Sequence, residues 1–307
     1  MTRRRAVVGG VIVVLGASLA AWAVAYPQGA FTATVVRALA DCCAAATLGL
    51  AVVPMLDTDR YRDDLAQRAA RPLAWAAGSW LLAELCRVAV GAAGAAAVPV
   101  WRVGLGTTAD FATVTSAGRS SLFGTVAAAL VLGVALVAAR TPSAAVAAAG
   151  ITAVGLVART VGGHMSASAV GAVAIGLHVL AAAVWCGTLA ALVLTVGHRG
   201  QWARVLPRFS DLSLVCVIAL LIGGFIGALV AMSSLAQVFA TGYGRVLLIK
   251  IVLTVVLLVL ARRNRGRWLP AAKSHRVTAE TSLSRSLTEL AIMVVALTMA
   301  GALSVTG

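Results

Sequence analysis

Long apolar stretches separated by short polar segments dominate the chain. Each stretch is long enough to cross a hydrocarbon core of about 30 Å as a helix. The first half contains five such stretches, at 7–26, 34–56, 72–97, 120–139 and 144–162. The second half contains four more, at 168–197, 212–232, 242–262 and 286–305. The pattern predicts an all-α fold: a polytopic integral membrane helical bundle of about nine transmembrane helices.

Composition supports lipid as the main solvent of this fold. Of 307 residues, 61% are hydrophobic and 11% are charged, and the mean hydropathy is +0.98. A soluble fold of this length would need a charged surface that ten acidic and 25 basic residues cannot supply. We therefore expect no soluble domain.

The net charge of +15 would suggest nucleic acid in a soluble protein. Here the arginines cluster between apolar runs, without interleaved aromatic residues, and we interpret them as determinants of membrane topology. If the N terminus is inside, 18 of the 25 cations fall in inside segments, two outside and five within spans. The positive-inside rule then predicts an inner N terminus and an outer C terminus.

The first apolar run has two interpretations. Its basic start and the small residues around Trp22 are typical of a cleaved secretory signal. Its length favours an uncleaved helix, which is our prediction. Cleavage would leave the orientation of every later helix unchanged.

The segments between spans are short except for 98–119 and the basic segment 262–285. The first suits a re-entrant or surface-lying cap. Neither can hold a catalytic domain, and the chain lacks the HExxH, CxxCH and P-loop motifs. We expect a protein that is not an enzyme.

Charged residues inside the spans need partners, because each costs a few kcal/mol in lipid. Arg37 and Asp41 are four residues apart and can neutralise each other, and Glu84 and Arg87 repeat the arrangement three residues apart. We expect structural ion pairs at both places. Lys250 has two open interpretations, a bridge between helices or a side chain that snorkels outward.

Five cysteines, all in apolar runs and without a CxxC spacing, argue against a disulfide framework. Their simplest interpretation is small apolar filling, with ligation of a soft metal as the alternative. His178 and Cys186 lie about 12 Å apart along one helix, so they can be only successive stations for an ion. Cys42 and Cys43, beside Asp41, would join such a path if helix packing brings them near it.

The most informative polar cluster is Gly162-Gly163-His164-Met165-Ser166, followed by His178 in the next span. Imidazole nitrogen and thioether sulfur both suit copper. His164, Met165 and His178 are therefore the candidate metal ligands, with Asp41 and the thiols as weaker ones. The alternative is that the histidines only form hydrogen bonds between helices.

Several elements together resemble the copper resistance protein D (CopD) family. They are a Gly163-His164 pair, the helix His178-Val179-Leu180-Ala181-Ala182-Ala183-Val184-Trp185-Cys186-Gly187, then Arg208-Phe209-Ser210, and Thr241-Gly242-Tyr243-Gly244-Arg245 followed by Lys250. The resemblance divides the chain into N-terminal membrane helices, 1–139, and a CopD-like membrane core, 140–307. In longer family members such a half is often fused to a copper-assembly (CtaG-like) half.

The resemblance implies copper transport, commonly import, across the inner membrane of a bacterium, with capture by His164 and His178 at the outer face. It also implies candidate partners: a periplasmic copper-binding protein or a CtaG-like assembly protein. A second hypothesis is a non-transporting scaffold or assembly factor for a copper enzyme such as a terminal oxidase. Cations outnumber carboxylates within the spans, which favours the second hypothesis mildly.

Overall fold

A computed structural model describes residues 3–27, 30–137, 141–161, 169–231, 241–274 and 277–306. These residues form helices and their connections, and no strand occurs among them. The prediction of an all-α fold is confirmed.

Eleven α-helices follow one another along the described part of the chain. The first six are α1 (Arg3–Ala25), α2 (Phe31–Val52), α3 (Asp59–Ala95), α4 (Leu105–Val114), α5 (Ser116–Val137) and α6 (Pro142–Val161). The others are α7 (Ala169–Thr195), α8 (Arg199–Ala231), α9 (Gly242–Arg263), α10 (Leu269–Lys273) and α11 (Ala279–Thr306). Short 3-10 turns at Val53–Leu56 and Val100–Arg102 and a π turn at Asn264–Trp268 complete the order.

Among the described residues, nine helices are long and apolar enough to cross a membrane, as predicted; all but α4 and α10 belong to this set. The protein is therefore a multi-pass membrane protein. Its lipid-facing surface is apolar, and large side chains such as Leu82, Phe225 and Val252 are more than half exposed. This exposure would be costly in water and is what a bilayer requires.

Two helices extend further than the apolar pattern predicted. The α3 helix begins at Asp59, well before the apolar run that starts at 72. Its polar first part is helical because side chains one turn apart pair: Arg62 with Asp59 at 2.6 Å and Arg68 with Asp64 at 3.1 Å. The α8 helix likewise begins at Arg199. Hydropathy marks only the lipid-embedded part of a helix.

The spans alternate in direction, which gives the bundle two ends. We name as the upper end the one where α2, α7 and α9 begin and α3, α6 and α8 end. The other end is the lower end. At the upper end, Phe111 of α4 packs its ring against Gly91 of α3, so the segment 98–119 lies on the bundle as a short helix.

Helices α2 and α7 are the most buried spans and lie in the centre of the bundle. They cross without intervening side chains at Gly49 and Gly187. A Cβ atom added to Gly187 would lie 1.8 Å from the carbonyl oxygen of Ala45, and one added to Gly49 would lie 1.9 Å from the backbone of Gly187. Only glycine permits this contact of two backbones.

The lower end is fastened through Asp57, which is almost fully buried. Its carboxylate accepts two hydrogen bonds from Arg204 of α8, at 3.0 and 3.2 Å. Arg208 donates to the backbone carbonyl of Asp57. The connection between α2 and α3 is thereby held to the start of α8.

Candidate functional site

A buried network of five charged side chains joins α2, α3 and α6 in the upper half of the bundle. Arg159 of α6 donates to Glu84 at 2.5 Å and also to Asp41. The two predicted ion pairs are both present: Arg37 lies 3.3 Å from Asp41, and Arg87 lies 2.8 Å from Glu84. Arg159 unites them into one network.

The network is deep in the protein. Glu84 is fully buried and Arg159 is 4% exposed. Trp80, also fully buried, donates its indole N–H to Glu84 at 3.0 Å. Charges in such a place are tolerated only with partners and hydrogen bonds, and here both carboxylates have them.

The guanidinium groups outnumber the carboxylates. Among the described residues, Arg37, Arg87 and Arg159 pair with the two carboxylates Asp41 and Glu84, which leaves a formal charge of +1 on the network. Two donors, Nη2 of Arg87 and Nε of Arg159, are buried without a hydrogen-bond partner among the described residues. The network therefore has unused donors that an additional acceptor or negative charge would satisfy.

His178 lies about 13 Å below the start of α7, at 1.5 Å of rise per residue, and faces α8 and α9. Its Nδ1 atom lies 2.9 Å from the carbonyl oxygen of Leu220, and its Nε2 atom lies 3.5 Å from Nζ of Lys250. The first contact requires a proton on Nδ1, so Nε2 accepts from the lysine. Of the two interpretations of Lys250, the bridge between helices is the one observed.

Glycines on α8 make room for the imidazole. A Cβ atom added to Gly224 would lie 3.0 Å from Nδ1 of His178. The ring is thus held in one orientation, with a single lone pair available, on Nε2. A metal ion could take that lone pair only after Lys250 withdraws, because the ammonium group occupies the same direction and repels a cation.

The candidate thiols differ in how deeply they are buried. Cys186 is buried and Cys42 and Cys43 are half-buried. Cys42 follows Asp41 on α2, and Cys186 precedes Gly187, where α7 crosses α2. The path of successive stations through these thiols stays a prediction.

His164 and Met165 lie outside the described residues, and their role stays a prediction. Within the described ranges, no group of three or more His, Cys, Asp or Glu side chains could hold a metal ion. Any copper site formed by the described residues alone therefore has fewer than three such ligands. Cu(I) accepts low coordination by soft ligands more readily than the divalent ions do.

The motifs that carry the CopD resemblance hold helices together. Arg208 fastens the connection between α2 and α3, and Ser210 accepts from Arg265 at 2.9 Å. Thr241 caps α9 by accepting from the backbone N–H of Gly244. Arg245 donates to the carbonyl of Val24 at the end of α1, at 2.9 Å. These motif residues determine how the second half of the bundle packs.

A comparison with protein-family models matches residues 203–303 to the family described as copper resistance protein D. The sequence of this segment is therefore similar to that family. The predicted resemblance is confirmed there, over about a third of the chain. This CopD segment supplies Leu220, Gly224 and Lys250, which are the partners of His178.

A curated relative supports the same assignment. The copper transport protein CutJ of Bacillus subtilis (strain 168) is 33% identical over 118 residues, which cover 36% of this chain and 20% of the relative. The chain thus spans about a fifth of the length of that relative. No solved structure shows a significant match. The family and the relative to which the chain is similar both carry names that refer to copper.

Sequence reasoning missed the part played by Arg159. The available signal was its position: α6 brings a cation to the depth at which Asp41 and Glu84 lie on other spans. Sequence alone did not show which spans are neighbours. The division at 139 and 140 stays a prediction, although the network joins residues from both sides of it.

Proposed function

We propose that the chain transports copper inward across the inner membrane of a bacterium, with capture of the ion by His164 and Met165 and transfer to His178. The observation that carries this proposal is the environment of His178. Its ring is held between α7 and the CopD segment, with one lone pair directed at Nζ of Lys250, which would have to withdraw when a metal ion binds.

The direction of the proposed transport follows from charge. Inward movement of one positive charge gains about 2.3 kcal/mol per 100 mV of negative-inside potential. The chain lacks a nucleotide-binding motif, so a gradient, the potential or a partner would drive the ion. A periplasmic copper-binding protein is the candidate donor, since it would present copper at the capture site.

The test is the copper content of cells that express the chain at matched protein levels. The wild type is compared with a His164→Ala, His178→Ala double variant and with His198→Ala, whose side chain is exposed at the lower end. We expect extra copper in the wild type and the His198→Ala control, and its loss in the double variant. Equal copper in all three strains would contradict transport through these histidines.

One observation favours a second candidate function. The charge network in the upper half of the bundle has an excess positive charge, and Lys250 covers His178. Both positive charges disfavour the passage of a free cation through the bundle. A scaffold or assembly factor for a copper enzyme such as a terminal oxidase, working beside a CtaG-like protein, would need no permeation path.

The two candidates differ in oxidase maturation. A scaffold predicts unchanged cell copper on deletion of the chain, together with a loss of copper from the oxidase. Transport predicts that both fall and that external copper restores the oxidase. A purified wild-type protein that binds no copper, with cell copper unchanged, would leave only the scaffold.

A further inference from the structure

We propose that Glu289 of α11 binds an exchangeable proton, which reaches it from the lower end of the bundle past Ser282 and Ser286. The inference goes beyond the proposed function. It adds a second ion, at another place in the bundle, and it holds whatever the cargo is.

Glu289 differs from the other buried carboxylates. Among the described residues three are buried: Asp57, Glu84 and Glu289. The first two pair with arginines, whereas Glu289 has no ion pair with a described residue. Its Oε2 atom instead accepts a hydrogen bond of 2.7 Å from the neutral amide of Asn264. A buried carboxylate that lacks a cation binds a proton, because the neutral acid is far less costly there than the charge.

The charged side chains at the lower ends of the neighbouring elements do not replace the missing cation. They belong to α1, α8, α9, the π turn and the first turns of α11 itself. Because these side chains are exposed to solvent, they do not face the buried carboxylate. Among them are Arg5, Asp211, Arg263, Arg265, Glu280 and Arg285.

The charged groups within the neighbouring spans lie higher in the bundle. Arg37 of α2 lies against α11 at Gly301, about 18 Å above Glu289 along the helix. Lys250 is about 21 Å above Asn264 along α9. The titratable side chains within α7 and α8 are neutral: His178, whose ring accepts from Lys250, and the thiols of Cys186 and Cys216.

A buried polar stripe leads from Glu289 to the lower end. Ser282, Ser286 and Glu289 are each at most 3% exposed. Their spacings of four and three residues place them on one face of α11. Helical side chains point towards the N terminus of their helix, so Glu289 lies over Ser286, and Ser286 lies over Ser282. Because α11 begins at the lower end, the stripe ends there.

The π turn after α9 contacts this stripe at two places. Asn264 donates to Glu289, and the indole N–H of Trp268 donates to Oγ of Ser282 at 3.2 Å. Between these contacts the hydroxyl of Ser286 is buried without a hydrogen-bond partner among the described residues. Unpartnered buried hydroxyls are rare, and π turns are frequent at functional sites. The two observations together indicate a ligand beside Ser286.

A proton suits these groups, since one carboxylate and one hydroxyl can relay it. In the protonated acid, Oε1 of Glu289 carries the hydrogen and Oε2 accepts from Asn264. On release, the O–H bond of the acid breaks and its electron pair stays on the carboxylate. Ser286 takes up this hydrogen and gives its own to water at the lower end, past Ser282. Ser286 and Asn264 then both donate to the carboxylate, which stabilises the ionised form.

The test is infrared difference spectroscopy of the full chain in detergent between about pH 5 and about pH 9, a range in which exposed carboxylates stay ionised. We expect a carbonyl band of a protonated carboxylic acid that disappears as the pH rises and that shifts in heavy water. Glu289→Gln should lack the band and still fold, because glutamine can accept from Asn264. The control Glu280→Gln, at an exposed position of the same helix, should keep the band.

The path is tested by the rate at which the band disappears after a jump in pH. We expect Ser286→Ala to slow this rate about tenfold. The matched control is Ser284→Ala, which removes an exposed hydroxyl of the same helix and should leave the rate unchanged.

Three results would overturn the inference. The first is a wild type without a pH-dependent band of this kind, a result that needs no variant. The second is the same band in the folded Glu289→Gln variant. The third is an equal rate in Ser286→Ala and Ser284→Ala.

Discussion

At the residue scale, Arg159 determines the chemistry of the upper half of the bundle. One guanidinium serves two carboxylates on two other helices, which a lysine, with a single charged nitrogen, could not do with the same geometry. Without it, Glu84 would keep Arg87 and Trp80 alone among the described residues, in a site fully shielded from solvent. The loss of one partner of a buried ionic group is among the costliest changes in a protein.

We expect Arg159→Met to lower the free energy of unfolding by about 3 kcal/mol or more, because the fully buried Glu84 and the partly buried Asp41 lose their shared cation. Unfolding in mixed detergent micelles measures the change. Arg68→Met is the control, since Arg68 pairs with Asp64 on the exposed part of α3 and should cost about 1 kcal/mol or less.

The loss of stability caused by Arg159→Met should depend on whether Glu84 is present. Adding Glu84→Gln to Arg159→Met removes a stranded negative charge, so the double variant should be more stable than the sum of the two single losses predicts. Strict additivity of the two losses would show that the side chains do not interact.

Lys250 should compete with copper for His178. Lys250→Met removes the ammonium group that faces Nε2 at 3.5 Å, so we expect Cu(I) bound through His178 to bind about tenfold more tightly, or ~1.4 kcal/mol. Chelator competition measures this. The control is Lys273→Met, in α10. A gain that persists when His178 is also replaced by Ala would show that the lysine acts elsewhere.

The sequence predicted which charged and metal-ligating side chains lie within the spans. It did not predict which residues of other helices they contact. Arg37 with Asp41 and Glu84 with Arg87 were predictable because helical geometry fixes neighbours three and four residues apart. Contacts between helices, such as Arg159 with Glu84 or His178 with Lys250, depend on which spans pack together. Hydropathy and helical periodicity do not reveal which spans are neighbours.

At the element scale, the crossing of α2 and α7 organises the bundle. Its two glycines let the backbones touch, and residues just above the crossing, including Cys186, are placed by it. The lengths of the apolar runs in the sequence predicted that these spans exist and approximately where they end. They could not predict that α2 and α7 are the central pair, since the hydropathy of neither span differs from the range of the other spans.

We expect Gly187→Ala to separate α2 from α7, because its added Cβ would lie 1.8 Å from the Ala45 carbonyl, an atom that cannot rotate away. Overpacking of this kind costs about 1–3 kcal/mol or more. Thermal unfolding in detergent measures it. Gly133→Ala on α5 is the matched control, since nothing lies within 4 Å of its added Cβ. Equal stability of the two variants would contradict the tight crossing.

At the scale of the whole molecule, the arrangement of charge predicts which way the protein faces. Among the described residues, the arginines of α3's polar start, of α8's start and of the segment after α9 are all at the lower end. The upper end has few cations outside the spans, Arg102 and Arg119 among them. A lower end in the cytoplasm satisfies the positive-inside rule.

This orientation decides whether the proposed transport is import. Helices α6 and α7, which flank His164, end and begin at the upper end, so capture occurs on the side that the upper end faces. We expect alkaline phosphatase fused after Gly307 to be active and green fluorescent protein fused there to be dark, with both results reversed for fusions after Ser274. The reversed pattern would place capture in the cytoplasm. The same histidines, thiols and charge network would then have to work against the membrane potential, and the chain would have to be an exporter with a coupled source of energy.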